Sequence, residues 1–598
     1  MSGPDPYALF EGNIGCLRDR DRELAERLAA LRPDFSAPLH YRFMEARNGD
    51  PVPALIDRSC PAGQDRRTEQ ATARPLHSLF DPRREGERLI STLDGEDFLV
   101  FLGMGGAYQV EAALVRTETD RILVVEFGLR GFAELLGLRD LRSLFADPRL
   151  RLLVDPRPGV LERLIPDLYL PALGTAIRTL PLRPRVEAAG AEFASAAADI
   201  RAAIGRISAD YSVQAHFGIR LFKNTLRNLL WAGTGEVPLP RIQRAAVCGA
   251  GPSLDSQIPR IAEARRKGRA PFLIATDTSL PALLNGALEP DAVISIDCQH
   301  ISYRHFIPPR RSNLCKTIPL FLDLASPPSL ASLAERPVFF SAGHPLSAYI
   351  ASRWRPFPLI DGSGGNVTHA AVSLAETLGA AEIELYGADF SYPLGRTYAR
   401  GTYIFPYFET CQNRLEPLET FFSRFLYRSP LEKRTPPAGP AEGTWYYETE
   451  TLIRYRNSLE AAGKRMEARL LPAAGLGAPI AGYPAAPQQR GAAGAGGSGR
   501  PATGPRQVAG SRQITEPLPA REFLSRYREQ IRALPPPLPG KPAGAYLAGL
   551  GNEGRQVLAT LLPLAAALRR KEPERVGVEI IGRIRDYATG AIDRVLAD

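Results

Sequence analysis

Seven short apolar segments lie between residues 240 and 410, and each runs into a glycine, serine or aspartate. This recurrence constrains the fold more than any other feature of the chain. The segments are AAVCGAG, PFLIATD, DAVISID, IPLFLDLA, PVFFSAG, FPLIDGSGG and EIELYGADF. Stretches of helical length separate them. Short strands that are apolar throughout belong in a sheet covered on both faces, and alternation with helices predicts a mostly parallel, doubly wound arrangement. In such a sheet ligands bind beyond the carboxyl ends of the strands, where these polar residues fall.

The 598 residues are too many for one core, so two or three domains are expected. The predicted fold class is α/β. A central Rossmann-like, mostly parallel sheet has helices on both faces, beside a smaller N-terminal α/β domain and a helical C-terminal region. The predicted divisions are a helical segment at 1–75, a small α/β domain at 76–185, a helical connector at 186–239 and the donor-binding catalytic domain at 240–410. A helical extension at 411–483, a disordered Gly/Ala/Pro-rich linker at 484–514 and a helical segment at 515–598 follow. Leu9, Ile14, Leu17, Leu24, Leu28 and Leu31 carry the helical period of the first segment. FLVFL and RILVVE mark two strands of the second.

Composition excludes several classes. Hydrophobic residues make up 44% and charged residues 23%, as in ordinary globular proteins. No apolar run approaches the roughly 20 residues of a membrane helix, and the first residues lack the pattern of a secretory signal. The six cysteines (Cys16, Cys60, Cys248, Cys298, Cys315 and Cys411) include no CxxC pair, so neither a zinc site nor a disulfide framework is expected. A cytoplasmic protein with reduced thiols is the reading. The net charge of +9 reflects an arginine-rich composition or an attraction for anionic substrates or partners. The basic residues are spread out and no nucleic-acid motif occurs, so nucleic acid is not expected as a partner.

The chemistry-bearing candidates start at VCGAGPSLDS. Gly249 and Gly251 allow close approach of the backbone to a ligand, and Ala250 lies between them. Pro252 suits a first helical turn, and Ser253 can cap it. N–H groups at such a helix start attract phosphate; the alternative is a plain strand-to-helix turn. Asp277 and Asp297 end neighbouring strands, where they could hold a ribose or amino group of a nucleotide or simply cap the next helix. A second loop, Ser363-Gly364-Gly365, opens a helix whose apolar face is Val367, Ala370, Ala371, Leu374 and Leu378, with Gly379 as its stop. Asp389 ends the last strand. Two glycine loops and three strand-end aspartates in one sheet are more specific than any one of them.

No Asp-x-Asp stands at a strand end, so a metal-bound diphosphate donor is not expected. A monophosphate donor can leave with help from hydroxyl or cationic groups, and Tyr392, Tyr398, Tyr403, Arg396 and Arg400 follow Asp389 closely. His300 and His305 invite a metal reading but share no helical face, and no third ligand is near in sequence. GMGGAY (103–108), with Glu126 ending the next strand, mimics a dinucleotide or S-adenosylmethionine site; the alternative is a degenerate glycine turn.

VCGAGPSLD, PDAVISID and GAD (387–389) resemble the motility-associated factor family of flagellin glycosyltransferases. LHSLFDP (76–82) with Glu85, VFLGMGGAYQVEA (100–112), VVEFGLRGF (124–132), LFADPRLRLLV (144–154) and APIAGYP (478–484) extend the resemblance over roughly residues 7–484. The central domain is also similar to bacterial sialyltransferases. The resemblance implies that Gly249, Gly251, Pro252 and Ser253, with Ser363 and Gly364, meet the cytidine monophosphate of the donor, and that Asp389 lies near the reacting centre. It further implies a CMP-activated nonulosonic acid of pseudaminic or legionaminic type, transferred to Ser or Thr of flagellin with no cofactor and no metal. One departure stands out. The family often has a histidine after the Gly-x-Asp, and here Tyr398 occupies that place, the last histidine of the chain being His369. Asp389 and Tyr398 are therefore the candidate catalytic residues. The central domain also resembles an archaeal enzyme that transfers diphosphate from ATP to 6-hydroxymethylpterin, which would need Mg²⁺ and carboxylates such as Asp277, Asp297 and Asp389. A flagellin-binding protein without activity is the third reading. The sugar, the acceptor residues and the oligomeric state are not legible in the sequence.

Overall fold

The computed structural model describes residues 5–36, 39–56, 73–233, 238–307, 314–435, 444–484, 518–537, 543–573 and 579–598. The chain divides into two compact units. The first comprises residues 1–218 and 533–587, the second 219–532 and 588–598.

In the first unit, helices α1 (Pro6–Arg18) and α2 (Arg22–Leu31) bury Ile14, Leu17, Leu24 and Leu28. The rest of the segment expected as helical differs. Strands β1 (Tyr41–Glu45), β2 (Pro51–Ile56) and β3 (Ala73–Pro75) form an antiparallel sheet. Pro51 and Pro53 in β2 obscured it, because proline usually marks an edge or a break. Helix α3 (Pro82–Ile90) follows. Strands β4 (Phe98–Leu102), β5 (Arg121–Glu126), β6 (Leu150–Val154) and β7 (Ile177–Pro181) then form a parallel sheet in the order β6-β5-β4-β7. Helix α4 (Tyr108–Val115) links the first two of these strands. The 43-residue helix α5 (Gly190–Ala232) begins in the first unit and ends in the second.

The second unit is built on a seven-stranded, wholly parallel sheet. Its strands are β8 (Arg244–Cys248), β9 (Phe272–Thr276), β10 (Ala292–Ser295), β11 (Leu320–Asp323), β12 (Val338–Phe340), β13 (Glu382–Tyr386) and β17 (Arg469–Pro472), in the order β12-β11-β10-β9-β8-β13-β17. Helix α6 (Leu254–Arg266) follows β8 and helix α7 (Val367–Thr377) precedes β13. One face of the sheet, with Val247, Ile274, Ile294, Phe321, Phe340, Ile383 and Leu470, packs on Ala370, Ala371, Leu374 and Leu378 of α7. Gly379, at φ +94°, ends that helix as expected.

Two expectations change here. FPLIDGSGG contributes only a single bridge, Ser341 to Leu359, and no strand. The seventh strand is β17, well beyond residue 410. It closes the far edge after an excursion that includes the antiparallel strands β14 (Tyr392–Pro393), β15 (Glu432–Arg434) and β16 (Tyr446–Glu448). Residues 411–483 are therefore not a helical appendage. They hold helices α8 (Leu418–Leu426) and α9 (Glu450–Gly463) together with three strands. The linker expected at 484–514 lies outside the described residues, except for Pro484. Helices occupy the described part of the last segment, at Ala520–Arg532, Ala543–Gly549, Asn552–Lys571 and Glu579–Ala597. Among the described residues, no helix is long and apolar enough to cross a membrane.

Candidate active site

From β8 the chain steps outward through β9, β10, β11 and β12, then returns along α7 to place β13 on the other side of β8. The connections thus reverse direction between β8 and β13, and a crevice opens beyond the carboxyl ends of such a strand pair. Gly249 to Ser253 leave β8 at that place, and Gly387 to Asp389 leave β13.

The two strand ends are fastened to each other. Gly249 N donates to Tyr386 O at 2.8 Å and Gly251 N to Gly387 O at 2.7 Å. A Cβ on Gly249 would stand 2.6 Å from Gly387 O, and one on Gly251 would fall onto Asp389 Oδ2. These glycines are required by the opposing backbone. Asp389 is buried, and its carboxylate accepts from Ser253 N at 2.8 Å and from Ser253 Oγ at 2.5 Å. The same Ser253 hydroxyl accepts from Leu476 N at 2.8 Å, and Asp389 O accepts from Ala478 N at 3.0 Å. Burial pushes the Asp389 carboxyl up, against the pull of Ser253. The structure corrects two local expectations. Helix α6 starts at Leu254, so Pro252 precedes its first turn. Ser253 makes no side-chain cap, because its hydroxyl is committed to Asp389. The N–H groups of Gly249, Gly251, Ser253, Leu254 and Asp255 all have partners within the protein, so this loop already holds an anion, its own Asp389.

The second glycine loop reaches the first through α7. Thr368 Oγ1 lies 3.1 Å from where a Gly249 Cβ would be. Asn366 caps α7 by accepting from His369 N at 3.0 Å. Asp361 accepts from Ser363 N at 2.8 Å and from His369 Nε2 at 3.2 Å. The His369 bond, with Ser363, holds the Asp361 carboxyl well below its usual range despite partial burial. Gly364 sits against the His369 ring, and a Gly365 Cβ would meet Tyr455 at 3.1 Å. The helix start exposes a positive dipole end beside the β8 turn.

The ends of β9 and β10 form the adjoining wall. Asp277 is buried and accepts from Thr278 N at 2.7 Å and from Ser295 Oγ at 2.6 Å. Asp297 accepts from Gln299 N at 2.8 Å. Burial raises its carboxyl, Asp277 adds to the shift and Arg220 opposes it. His305, weighed in the sequence only as a metal ligand, takes a different place here. It is buried in the turn after β10, within electrostatic reach of Asp277 and Asp297, with its ring edge-on to Tyr403 at 4.6 Å. Burial lowers its pKa against the pull of both aspartates, so the ring is neutral near pH 7. Its Nδ1 has no hydrogen-bond partner among the described residues. The only available signal was its place on the segment following a strand-end aspartate. His300 does not join it: it stacks on Tyr303, and its Nδ1 faces Ser329 Oγ at 3.3 Å.

Tyr398 is carried over the first loop, since Ala399 N donates to Ala250 O at 2.9 Å and Arg400 N to Asp255 Oδ1 at 2.8 Å. Arg396 pairs with Asp255 at 3.4 Å. Tyr398 and Tyr403 both lie within reach of Asp277. Burial drives the Tyr398 hydroxyl far above its ordinary pKa, so at neutral pH it keeps its proton and cannot act as a base. Among the described residues, no group of three or more His, Cys, Asp or Glu side chains is arranged to hold a metal ion.

The GMGGAY loop of the first unit is filled by its own neighbours. Glu126 is buried, accepts from Met104 N and Phe127 N at 2.9 Å each, and pairs with the buried Arg185 at 2.9 Å. A Cβ on Gly103 would meet Arg185 Cγ at 2.9 Å, one on Gly105 would meet His77 Nε2 at 2.5 Å, and Gly106 N donates to His77 Nε2 at 2.9 Å. No room for a dinucleotide pyrophosphate is left on this loop.

Residues 224–395 match the family described as 6-hydroxymethylpterin diphosphokinase MptE-like. The fold is similar to that of the MAf glycosyltransferase from Magnetospirillum magneticum AMB-1, over 99% of this chain and 96% of the other, with a TM-score of 0.57 and 17% identity. Two uncharacterized proteins of Treponema pallidum (strain Nichols) are also similar. One is 38% identical over 123 residues, 21% of this chain and 42% of the relative. The other is 43% identical over 106 residues, 17% of this chain and 49% of the relative. The chain thus spans less than half the length of these curated relatives. The relationship expected from the motifs holds at the level of the fold: an MptE-like domain, set within the architecture of the MAf glycosyltransferase.

Proposed function

We propose that this protein is a glycosyltransferase that moves a nonulosonic acid from a CMP-activated donor to Ser or Thr hydroxyls of flagellin, without a metal. The observation that carries the reading is the meeting of the β8 turn and the start of α7 at the reversal point of the parallel sheet, in a chain folded throughout like the MAf glycosyltransferase. The donor phosphate lies at the start of α7, beside Thr368 and Gly249, because the N–H groups of Gly249, Gly251 and Ser253 in the β8 turn are already engaged. Gly249, Ala250, Gly251, Pro252 and Ser253, with Ser363, Gly364 and Gly365, shape the nucleotide crevice, and Asp389 fastens the first loop for that task. Asp277 and Asp297 line the reacting side. In the transfer, an acceptor hydroxyl oxygen bonds to the anomeric carbon as the bond from that carbon to the phosphate oxygen breaks. The bonding pair leaves with CMP, and the hydroxyl proton passes to neutral His305. Tyr398 donates a hydrogen bond to the departing phosphate.

A diphosphokinase acting on 6-hydroxymethylpterin with ATP and Mg²⁺ is the second reading, favoured by the MptE-like match alone. Asp277 and Asp389 are each already engaged by hydroxyl and N–H donors, which fits poorly with shared metal ligands. One titration separates the readings. Thermal unfolding is followed with CMP and with ATP, each with and without Mg²⁺. The expected result is stabilisation by CMP that Mg²⁺ does not alter. Stabilisation by ATP only with Mg²⁺ overturns the transferase, and no response to either leaves a flagellin-binding role.

A further inference from the structure

Arg304 and His305, neighbours in the chain, pack on successive turns of one helix, Ile404–Cys411. His305 meets Tyr403, the residue just before that helix, with ring centroids 4.6 Å apart. Arg304 lies over Tyr407, its guanidinium carbon 4.0 Å from the ring centroid. Tyr407 N donates to Tyr403 O at 3.2 Å, so the two contacts are one helical turn apart, about 5.4 Å along the axis. A second cation comes from beyond the end of α8. Arg428 lies 3.9 Å over the Phe425 ring, and Phe425 faces Tyr398 with centroids 6.0 Å apart. Both guanidinium groups are within electrostatic reach of the Tyr403 hydroxyl.

These two cations lack what a third one nearby has. Arg424, over Phe421 on α8, is paired with Glu416 at 2.5 Å. Among the described residues, Arg304 and Arg428 have no carboxylate partner. Arg304 is half-buried, and its Nη1 is sealed away without an acceptor. The Nε–Nη2 edge is the one left for a ligand, and it is the edge that takes a carboxylate with two parallel bonds. A half-buried guanidinium has lost hydration that no counter-charge here replaces. The rings beneath the cations stay within reach from outside: Tyr407 is 39% exposed and Phe425 is half-buried. Arginine laid on tyrosine and phenylalanine is the composition of protein-binding hot spots.

We infer that this surface binds the acceptor polypeptide next to its reacting hydroxyl, by taking an acidic side chain of that polypeptide onto Arg304 and Arg428. The inference rests on the transferase reading, because it starts from a hydroxyl held at His305. One helical turn is close to the span of two residues in an extended chain, roughly 6.6 Å. An Asp or Glu two residues from the accepting Ser or Thr therefore reaches the cations while the hydroxyl stays at His305. The charge pair supplies specificity between acceptor sites.

The test uses the full chain and three fluorescein-labelled peptides, followed by fluorescence anisotropy. GGDGSGDGG carries aspartates two residues from the serine, DGGGSGGGD carries the same charge four residues away, and GGNGSGNGG carries none. The first should bind about fivefold more tightly than either of the others. Arg304→Met and Arg428→Met together should abolish that preference, and Arg88→Met, an exposed position of the first unit, should leave it intact. Circular dichroism melts confirm that each variant is folded. Equal binding of the three peptides overturns the inference, as does a preference that survives the double substitution. Equal loss in Arg88→Met would trace the preference to overall charge and overturn it too. CMP binding by the wild type is measured alongside. CMP binding with no peptide preference overturns this surface and leaves the transferase standing. The peptide preference, lost in the double variant, with no CMP binding supports the surface and counts against the transferase.

Discussion

Two glycine-rich turns in this molecule leave the first strand of a parallel sheet at the point where the connections reverse, yet they are finished differently. GMGGAY is closed by a buried ion pair and a histidine from its own unit. GAGPS is closed by a carboxylate, Asp389, that grips Ser253 and leaves the neighbouring helix start beside the crevice. Glycines at strand ends therefore report a tight turn in both cases. What fills the turn is decided by residues distant in sequence: Arg185 and His77 in one, Asp389 and Leu476 in the other.

The contrast can be broken most sharply at the ion pair. Arg185→Leu leaves the buried Glu126 carboxyl without its cation, and urea denaturation should show a loss of roughly 3–5 kcal/mol. Replacing both partners, with Glu126→Leu and Arg185→Met, should recover most of it. A single-variant loss below about 1 kcal/mol would mean that the first turn does not depend on its plug. In the second turn, Gly251→Ala pushes a methyl onto Asp389 and should cost about 1–3 kcal/mol. CMP binding, read by calorimetry, should weaken at least tenfold. Ser253→Ala removes the hydroxyl shared by Asp389 and Leu476 N, with an expected loss of roughly 1–2 kcal/mol and a smaller effect on CMP.

The smallest effect lies at the second loop. The Asp361 carboxyl is held low in the folded protein, first by His369. Its contribution to stability is complete above its unfolded pKa, near about 4, and is lost as pH falls through the lower folded value. His369→Gln should flatten that acid limb by less than about 1 kcal/mol, since Asp361 is partly exposed. Parallel acid limbs for wild type and variant would remove His369 as the cause.

The sheet was legible where local pattern suffices. Val247, Ile274, Ile294 and Leu385 sit in runs apolar enough to announce strands buried on both faces, and Gly379 announced the end of a helix. The expectation failed where pairing partners decide. Leu359 has the composition of a strand residue but finds only a single bridge. RLLP at 469–472 is too short to stand out, and becomes a strand because β13 leaves an open edge beside it. Within the site, the aspartates at strand ends could be found by position, whereas the nearness of His305 to Asp277 and Tyr403 depends on how three connections fold back.

That late strand has a consequence for biosynthesis. β17 pairs with Glu382 to Leu385 of β13, yet about 80 residues separate them. At ordinary elongation rates the ribosome needs roughly 5–15 s to supply them. Throughout that interval the nascent sheet carries a bare row of N–H and C=O groups along β13, its edge strand until β17 arrives, an invitation to pair with another chain. Truncation before residue 469 should therefore yield aggregates, not a smaller soluble domain. Chaperone dependence during synthesis should be governed by this one delayed edge.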